Sequence, residues 1–162
     1  MAQRAVVKGS RRPLHRRKLV NSTIKITTGV GALIYSQSTK RYLFLLRNGA
    51  KHGGEWGLVG GKIDAGEIPI QALKREISEE IGTVQYEKII PLEHFTADNA
   101  KFEYHTYIIP VVNEFVPTLN HEHRGYAWTH IEDHPRPLHP GVWRSFSFDS
   151  ILKKIRTVEH VL

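Results

Sequence analysis

The stretch from Gly61 to Thr83, GKIDAGEIPIQALKREISEEIGT, constrains this 162-residue chain more than any other. Pro69 stands where a first helical residue tolerates a missing N–H, and Gly82 stands where a left-handed C-terminal cap is wanted. Between them Ile70, Leu73, Ile77 and Ile81 recur at helical spacing and predict one apolar stripe. On that helix Glu76, Glu79 and Glu80 fan over about 100° on the side away from the stripe. Like charges so placed repel, each pair costing about 0.2–0.5 kcal/mol. A solvated helix face is the ordinary reading of such a pattern. The other is a cation held by carboxylates, and hard oxygen ligands suit Mg²⁺ or Mn²⁺, with substrate phosphates as further ligands.

The spacing decides between the two. Gly61, Glu67, Arg75, Glu76, Ile77, Glu79, Glu80 and Gly82 fall in a pattern that resembles the Nudix box, G-x5-E-x7-R-E-U-x-E-E-x-G-U with U a bulky aliphatic. Eight of its nine specified positions match, and only the last U departs, being Thr83. Upstream, Trp56-Gly57-Leu58-Val59-Gly60-Gly61-Lys62 is similar to the family's W-x-x-P-G-G-K, with Val59 in place of proline. Downstream, Leu119 to Trp128 resembles a family loop in which Glu-His precedes Tyr-x-Trp, and its glutamate is Glu122.

The resemblance covers about residues 22–160 and implies an α+β fold, an α/β/α sandwich with a mixed β-sheet between helices. Nudix members hydrolyse a nucleoside diphosphate linked to another moiety, such as an NTP, an oxidised NTP or a nucleotide sugar. They use water and a divalent metal, here expected to be Mg²⁺ or Mn²⁺. Carried onto this chain, the resemblance implies metal binding by Glu76, Glu79, Glu80, Gly60 and Glu122. It implies catalytic roles for Glu76, Glu80, Glu122 and Arg75, with Arg75 orienting a box glutamate through a bidentate pair that Lys fills poorly. Gly61, Glu67 and Gly82 support the box, Glu67 at the loop–helix junction. The general base is Glu76 by preference or Glu122. Arg47, Trp56, Lys62 and Tyr104 are expected at the substrate, and Trp56, Phe95, Tyr104 and Tyr107 are aromatic candidates for base stacking or core packing. Markers that separate subfamilies are missing: Asp98 and Asn99 stand where many ADP-ribose hydrolases have proline, and Ala100 and Lys101 where diadenosine polyphosphate hydrolases have tyrosine. An RNA 5′-end pyrophosphohydrolase and a non-catalytic nucleotide- or RNA-binding module are the alternatives. The module is disfavoured because every box glutamate is present.

The length suits one domain with a sound core. No cysteine occurs, which excludes disulfides, thiolate nucleophiles and Cys-ligated metals. No apolar run approaches a membrane span and no signal segment opens the chain, so no membrane partner and a cytoplasmic location are expected. The net charge of +7 comes from the first 20 residues, which carry Arg4, Lys8, Arg11, Arg12, Arg16, Arg17 and Lys18 and no acid. The 16 basic side chains beyond them match the 16 acidic ones. Residues 1–21 therefore read as a basic N-terminal arm and 22–162 as the Nudix hydrolase domain. The arm is a solubilising tail, a segment that meets RNA or substrate phosphates, or a transit peptide, the last weakened by Pro13. A homodimer is left open.

Strands are predicted over Ser22–Ser36, Tyr42–Arg47, Val84–Phe95 and Phe102–Val112. The glycine zone from Gly49 to Gly66 reads as loop whose backbone can approach phosphate oxygens. In the last strand Phe102, Tyr104, Thr106 and Ile108 alternate with Glu103, His105, Tyr107 and Ile109, giving a core face and a cleft face. His121, His123, His130, His134 and His139 match no standard metal spacing and read as loop residues contacting substrate or solvent. A final helix begins at Asp149 as N-cap, with Ile151, Ile155, Val158 and Leu162 as its stripe.

Overall fold

A computed structural model describes residues 26–162. The basic arm, the arm's boundary and Ile24 of the first strand lie outside those residues. Elements run β1 (Thr27–Ser36), β2 (Arg41–Arg47), β3 (Trp56–Gly57), β4 (Val59–Lys62), α1 (Pro69–Ile81), β5 (Ile90–Thr96), β6 (Phe102–Val111), β7 (His123–Thr129), α2 (Pro140–Phe146) and α3 (Asp149–Val161). Strand β1 is central. It pairs in parallel with β6 along its whole length, from Thr27↔Phe102 to Ser36↔Val111, and antiparallel with β2 and β4. The sheet order is β3-β2-β1-β6-β5, with β4 on β1 and β7 on β2. The sheet is mixed, as the resemblance implies.

Both faces of β1 are covered, so its residues are buried from Gly29's neighbour Val30 to Ser36 without the half-polar alternation of a one-sided sheet. Val30, Ala32 and Ile34 join Leu43, Leu45, Val59, Tyr107, Ile109 and the α1 residues Ala72, Leu73, Ile77 and Ile81 in one cluster. Leu33 and Tyr35 join Tyr42, Phe44, Ile108, Val142, Ile151 and Ile155 in the other, beneath α2 and α3. Two layers of helix around one sheet follow directly.

Several expectations are corrected here. The segment before Ile90 is not strand; Val84, Tyr86 and Ile89 instead pack on the first cluster from an irregular stretch, so their alternation reports docking rather than pairing. Within the glycine zone β3 and β4 are strands, short because they pair only where β2 and β1 have a free edge. His123 to Thr129 is strand β7, paired with β2, and not loop. Helix α2 fell within the proline- and histidine-rich stretch and had no sequence signal beyond Pro140 at its first position. Helix α3 is capped at Phe148, with Asp149 as its first residue and no side-chain cap bond. Gly82 follows α1 at φ 83° and ψ −160°, a positive-φ conformation that favours glycine but is not the left-handed helical cap.

Candidate active site

Helix α1 presents its glutamates differently from the helical-wheel expectation. Ile70, assigned to the apolar stripe, is 40% exposed, whereas Glu76 and Glu80 are buried at 8% and 1% exposure. The buried face is Ala72, Leu73, Glu76, Ile77, Glu80 and Ile81, so two carboxylates sit at the margin of the core against β4. Only Glu79, 54% exposed at its side chain, lies out in solvent.

The glycines before the helix make that burial feasible. Gly60 N–H donates to Glu80 Oε2 at 2.8 Å. Gly60 takes φ 149° while pairing with Gly31, a backbone conformation that L side chains rarely adopt. At Gly61 a Cβ would meet Glu76 Oε1 at 2.5 Å, so the missing side chain is the room the carboxylate occupies.

Arg75 ties the box together. Its Nε donates to Glu67 Oε1 at 2.8 Å and its Nη2 to Glu67 Oε2 at 2.9 Å, a bidentate pair. Nη1 donates to Glu76 Oε1 at 2.7 Å and to Glu79 Oε2 at 3.4 Å, and Nη2 also reaches the Lys62 carbonyl at 2.9 Å. The bidentate partner is thus Glu67, and Glu76 receives a single bond. Glu67 in turn accepts from Asp64 N–H at 2.9 Å, within the loop that leads into the helix. The Arg75 and Asp64 hydrogen bonds hold the Glu67 carboxyl down at about 2.

The other carboxylates are held in the opposite sense. Burial pushes Glu80 up to about 8 against its Gly60 hydrogen bond, with Glu76 and Glu122 raising it further. Burial also pushes Glu76 above its ordinary value, partly offset by Arg75 and reinforced by Glu79 and Glu122. The cluster is an all-oxygen donor set in which burial disfavours the charged form of both Glu76 and Glu80.

Glu76 and Glu79 line a cleft of about 710 Å³, whereas Glu67, Arg75 and Glu80 are not among its lining residues. Arg47, Gly60, Gly61, Lys62, Glu76, Glu79, Tyr104 and Glu122 all border it. Trp56 does not: it lies half-buried against the second core cluster, its N–H bonded to the Pro137 carbonyl at 2.8 Å. Tyr104 lies across Gly29 and Gly31 of β1, where a Cβ on either would collide with its ring. Burial drives its hydroxyl pKa well up, with the Glu80 charge adding to the effect. Tyr107, on the opposite face of β6, belongs to the core.

The far end of the cleft is apolar and aromatic, with Leu58, Leu92, Phe95, Phe102 and Phe146. There the structure adds residues that sequence reasoning missed. Arg144 of α2 lies 3.7 Å from the Phe95 ring centroid and donates to Glu93 Oε1 at 3.0 Å, while Ser145 also donates to Glu93. Nothing in the local spacing links β5 to α2, so only the fold brings them together. Of the five histidines, His139 borders the cleft, while His123 is buried rather than in contact with solvent. Burial, with Arg47 beside it, pushes His123 down to about 4.

The fold and this site define an α+β domain of the Nudix class with a carboxylate-bordered cleft. The NUDIX domain family model matches residues 25–148, and the chain belongs to that family. Among curated relatives, the 8-oxo-dGTP diphosphatase of Haemophilus influenzae is 36% identical over 96 residues, 57% of this chain and 66% of that protein. The RNA pyrophosphohydrolase of Helicobacter pylori is 30% identical over 95 residues, 49% of this chain and 61% of that protein. The matches thus span just under two thirds of these relatives' lengths. The MutT NUDIX hydrolase structure from Burkholderia pseudomallei superimposes with a TM-score of 0.60 at 28% identity, over 74% of this chain and 95% of that one. Among the described residues no helix is long and apolar enough to cross a membrane.

Proposed function

We propose that this protein is a divalent-metal-dependent pyrophosphohydrolase that cleaves a phosphoanhydride bond of a nucleoside diphosphate linked to another moiety, with a nucleoside triphosphate or its oxidised form as the first candidate. The observation that carries the reading is the buried carboxylate pair of α1: Glu76 borders the cleft with Glu79 and Glu122, and Glu80 is bonded to the cleft-lining Gly60. Two buried carboxylates with raised pKa values, of which only Glu76 is bonded to Arg75, are costly to ionise unless positive charge joins them. A hard divalent ion fits that oxygen set, and Mg²⁺ or Mn²⁺ is the expected occupant. Glu76, Glu79, Glu80 and the Gly60 carbonyl would hold it. Such an ion supplies charge neutralisation of the diphosphate and makes water a better nucleophile.

The chain's own residues supply the rest. Arg75 orients Glu76 while its bidentate grip on Glu67 fixes the loop between β4 and α1, and its bond to the Lys62 carbonyl holds the end of β4. Arg47 and Lys62 border the cleft and offer charge to the phosphates. Glu122 accepts the proton of the attacking water. Its support is that the other glutamates of α1 and the cleft are committed: Glu76 and Glu79 to Arg75, Glu80 to Gly60 N–H, and Glu93 to Arg144 and Ser145. Among the described residues no side-chain hydrogen bond holds the Glu122 carboxylate. The base lies toward Phe95, Phe102 and Arg144.

A panel of nucleoside triphosphates, oxidised triphosphates, nucleotide sugars and 5′-triphosphorylated RNA, with Mg²⁺ or Mn²⁺, tests this by release of nucleoside monophosphate with pyrophosphate from the triphosphates, of nucleoside monophosphate with sugar phosphate from the nucleotide sugars, and of pyrophosphate from the RNA. Tight binding with no turnover on any member would favour the non-catalytic module. The RNA reading is favoured by one observation, the seven positive charges of residues 1–20 beside a relative named RNA pyrophosphohydrolase. Turnover confined to RNA 5′ ends, with a steep salt dependence lost on deleting the arm, would select it. The cytoplasm is the proposed location.

A further inference from the structure

On the face of the β5–β6 ladder turned away from the cleft, His94 lies directly opposite His105, and Glu103 precedes His105 by two residues on the same face. The two imidazoles stack with centroids 4.2 Å apart and planes 10° from parallel. His94 Nε2 lies 3.7 Å from Glu103 Oε2. One ligand atom from each of the three residues falls within 4.8 Å of the other two. Tetrahedral zinc with bonds of about 2.0–2.1 Å needs its ligand atoms about 3.3 Å apart, so the stacked rings must turn for their lone pairs to meet one ion.

We propose that His94, Glu103 and His105 form a binding site for a borderline divalent transition metal, zinc foremost, separate from the glutamate cluster. Two imidazoles and a carboxylate are zinc ligands, with water completing the shell, and are a poor set for Mg²⁺, which takes oxygen. Among the described residues no hydrogen bond engages a ring nitrogen of His94 or His105, so each has a lone pair to give. A second trio, His52, Glu55 and His139, is close enough by distance but is less ready. There His139 Nδ1 already accepts the Gly141 N–H, which leaves the proton on Nε2, and Arg47 and Lys51 add positive charge nearby.

The position has a structural consequence. Strand β5 is an edge of the sheet, paired only with β6 on the ladder path. Metal bridging His94 to His105 and Glu103 staples that edge. The residues between and beside the ligands, Tyr104 and Phe95, are the cleft wall on the other face. This site is independent of the hydrolase reading.

Equilibrium dialysis against Zn²⁺ in excess Mg²⁺ is the test, comparing the full chain with His94→Gln, His105→Gln and Glu103→Gln. The unaltered protein should hold one zinc equivalent more than the His94→Gln and His105→Gln proteins, with Glu103→Gln weakened. Zinc well above its dissociation constant should raise its melting temperature by on the order of 5 °C, a shift absent from both histidine variants. Turnover with Mg²⁺ should be the same in His94→Gln. Equal zinc stoichiometry in all four proteins would overturn the assignment. Loss of the extra equivalent in His52→Gln, with His94→Gln unaffected, would move it to the other trio and equally overturn it.

Discussion

The Glu76 carboxylate lies where a side chain on Gly61 would begin, with Oε1 2.5 Å from the Cβ that alanine would place there. Gly61 therefore acts by what it lacks. Gly61→Ala must push Glu76 out of its bond to Arg75 or lift β4 from α1. A displacement of about 1 Å at a reacting centre costs on the order of 10²-fold in rate. We expect kcat to fall by at least that on the best substrate of the panel, with the fold retained by circular dichroism. Wild-type turnover in Gly61→Ala would mean that Glu76 has slack that the structure does not show.

Glu80 has a folded-state pKa of about 8, above its ordinary 4.5, so the folded state binds the Glu80 proton more tightly than the unfolded one. The stability this contributes is fully present below about 4.5 and is lost as pH rises toward 8. In EDTA, the melting temperature should therefore decline across that window, and Glu80→Gln should flatten the decline and hold or raise stability at high pH. A metal-free Glu80→Gln protein much less stable than wild type would mark Glu80 as a structural hydrogen-bond partner instead.

Arg75→Lys keeps the charge and loses the fork. Lysine cannot serve Glu67 through two nitrogens while also reaching Glu76 and the Lys62 carbonyl. The Glu67 carboxyl, held at about 2, should move up toward 4.5 in a carbon-detected NMR titration, and activity should drop by about tenfold or more. An unmoved Glu67 titration would show that charge alone holds it.

Much of this site was legible in the sequence, and the part that was not has a physical cause. Pro69 and Gly82 bracket α1 because a missing N–H and a positive φ are local requirements. The parallel partner of β1 and the glutamate side of α1 are not local. A wheel drawn from apolar residues puts Glu76 and Glu80 in solvent, whereas glycines on β4 open the space that buries them. By sequence Trp56 is a candidate for base stacking or core packing, and its β3 strand turns it against the second core cluster. Arg144 and Glu93 are 51 residues apart and meet only when α2 covers β5.

Glu122→Gln separates proton transfer from metal holding. As the proton acceptor, its loss should lower kcat by about 10²–10⁴-fold with KM nearly unchanged. Recovery of most of the rate at higher Mn²⁺ would assign it to metal holding instead, and unchanged kinetics would return it to the surface.

The central claim, that the Glu76–Glu80 cluster performs metal-dependent phosphoanhydride hydrolysis, is tested most directly by turnover on the best panel substrate across a Mg²⁺ titration, for wild type and Glu80→Gln side by side. The account predicts no turnover in EDTA, a saturable rise with Mg²⁺ in wild type, and a loss of several orders of magnitude in folded Glu80→Gln. Turnover that persists in excess EDTA, or that Glu80→Gln retains at the wild-type rate, would contradict it.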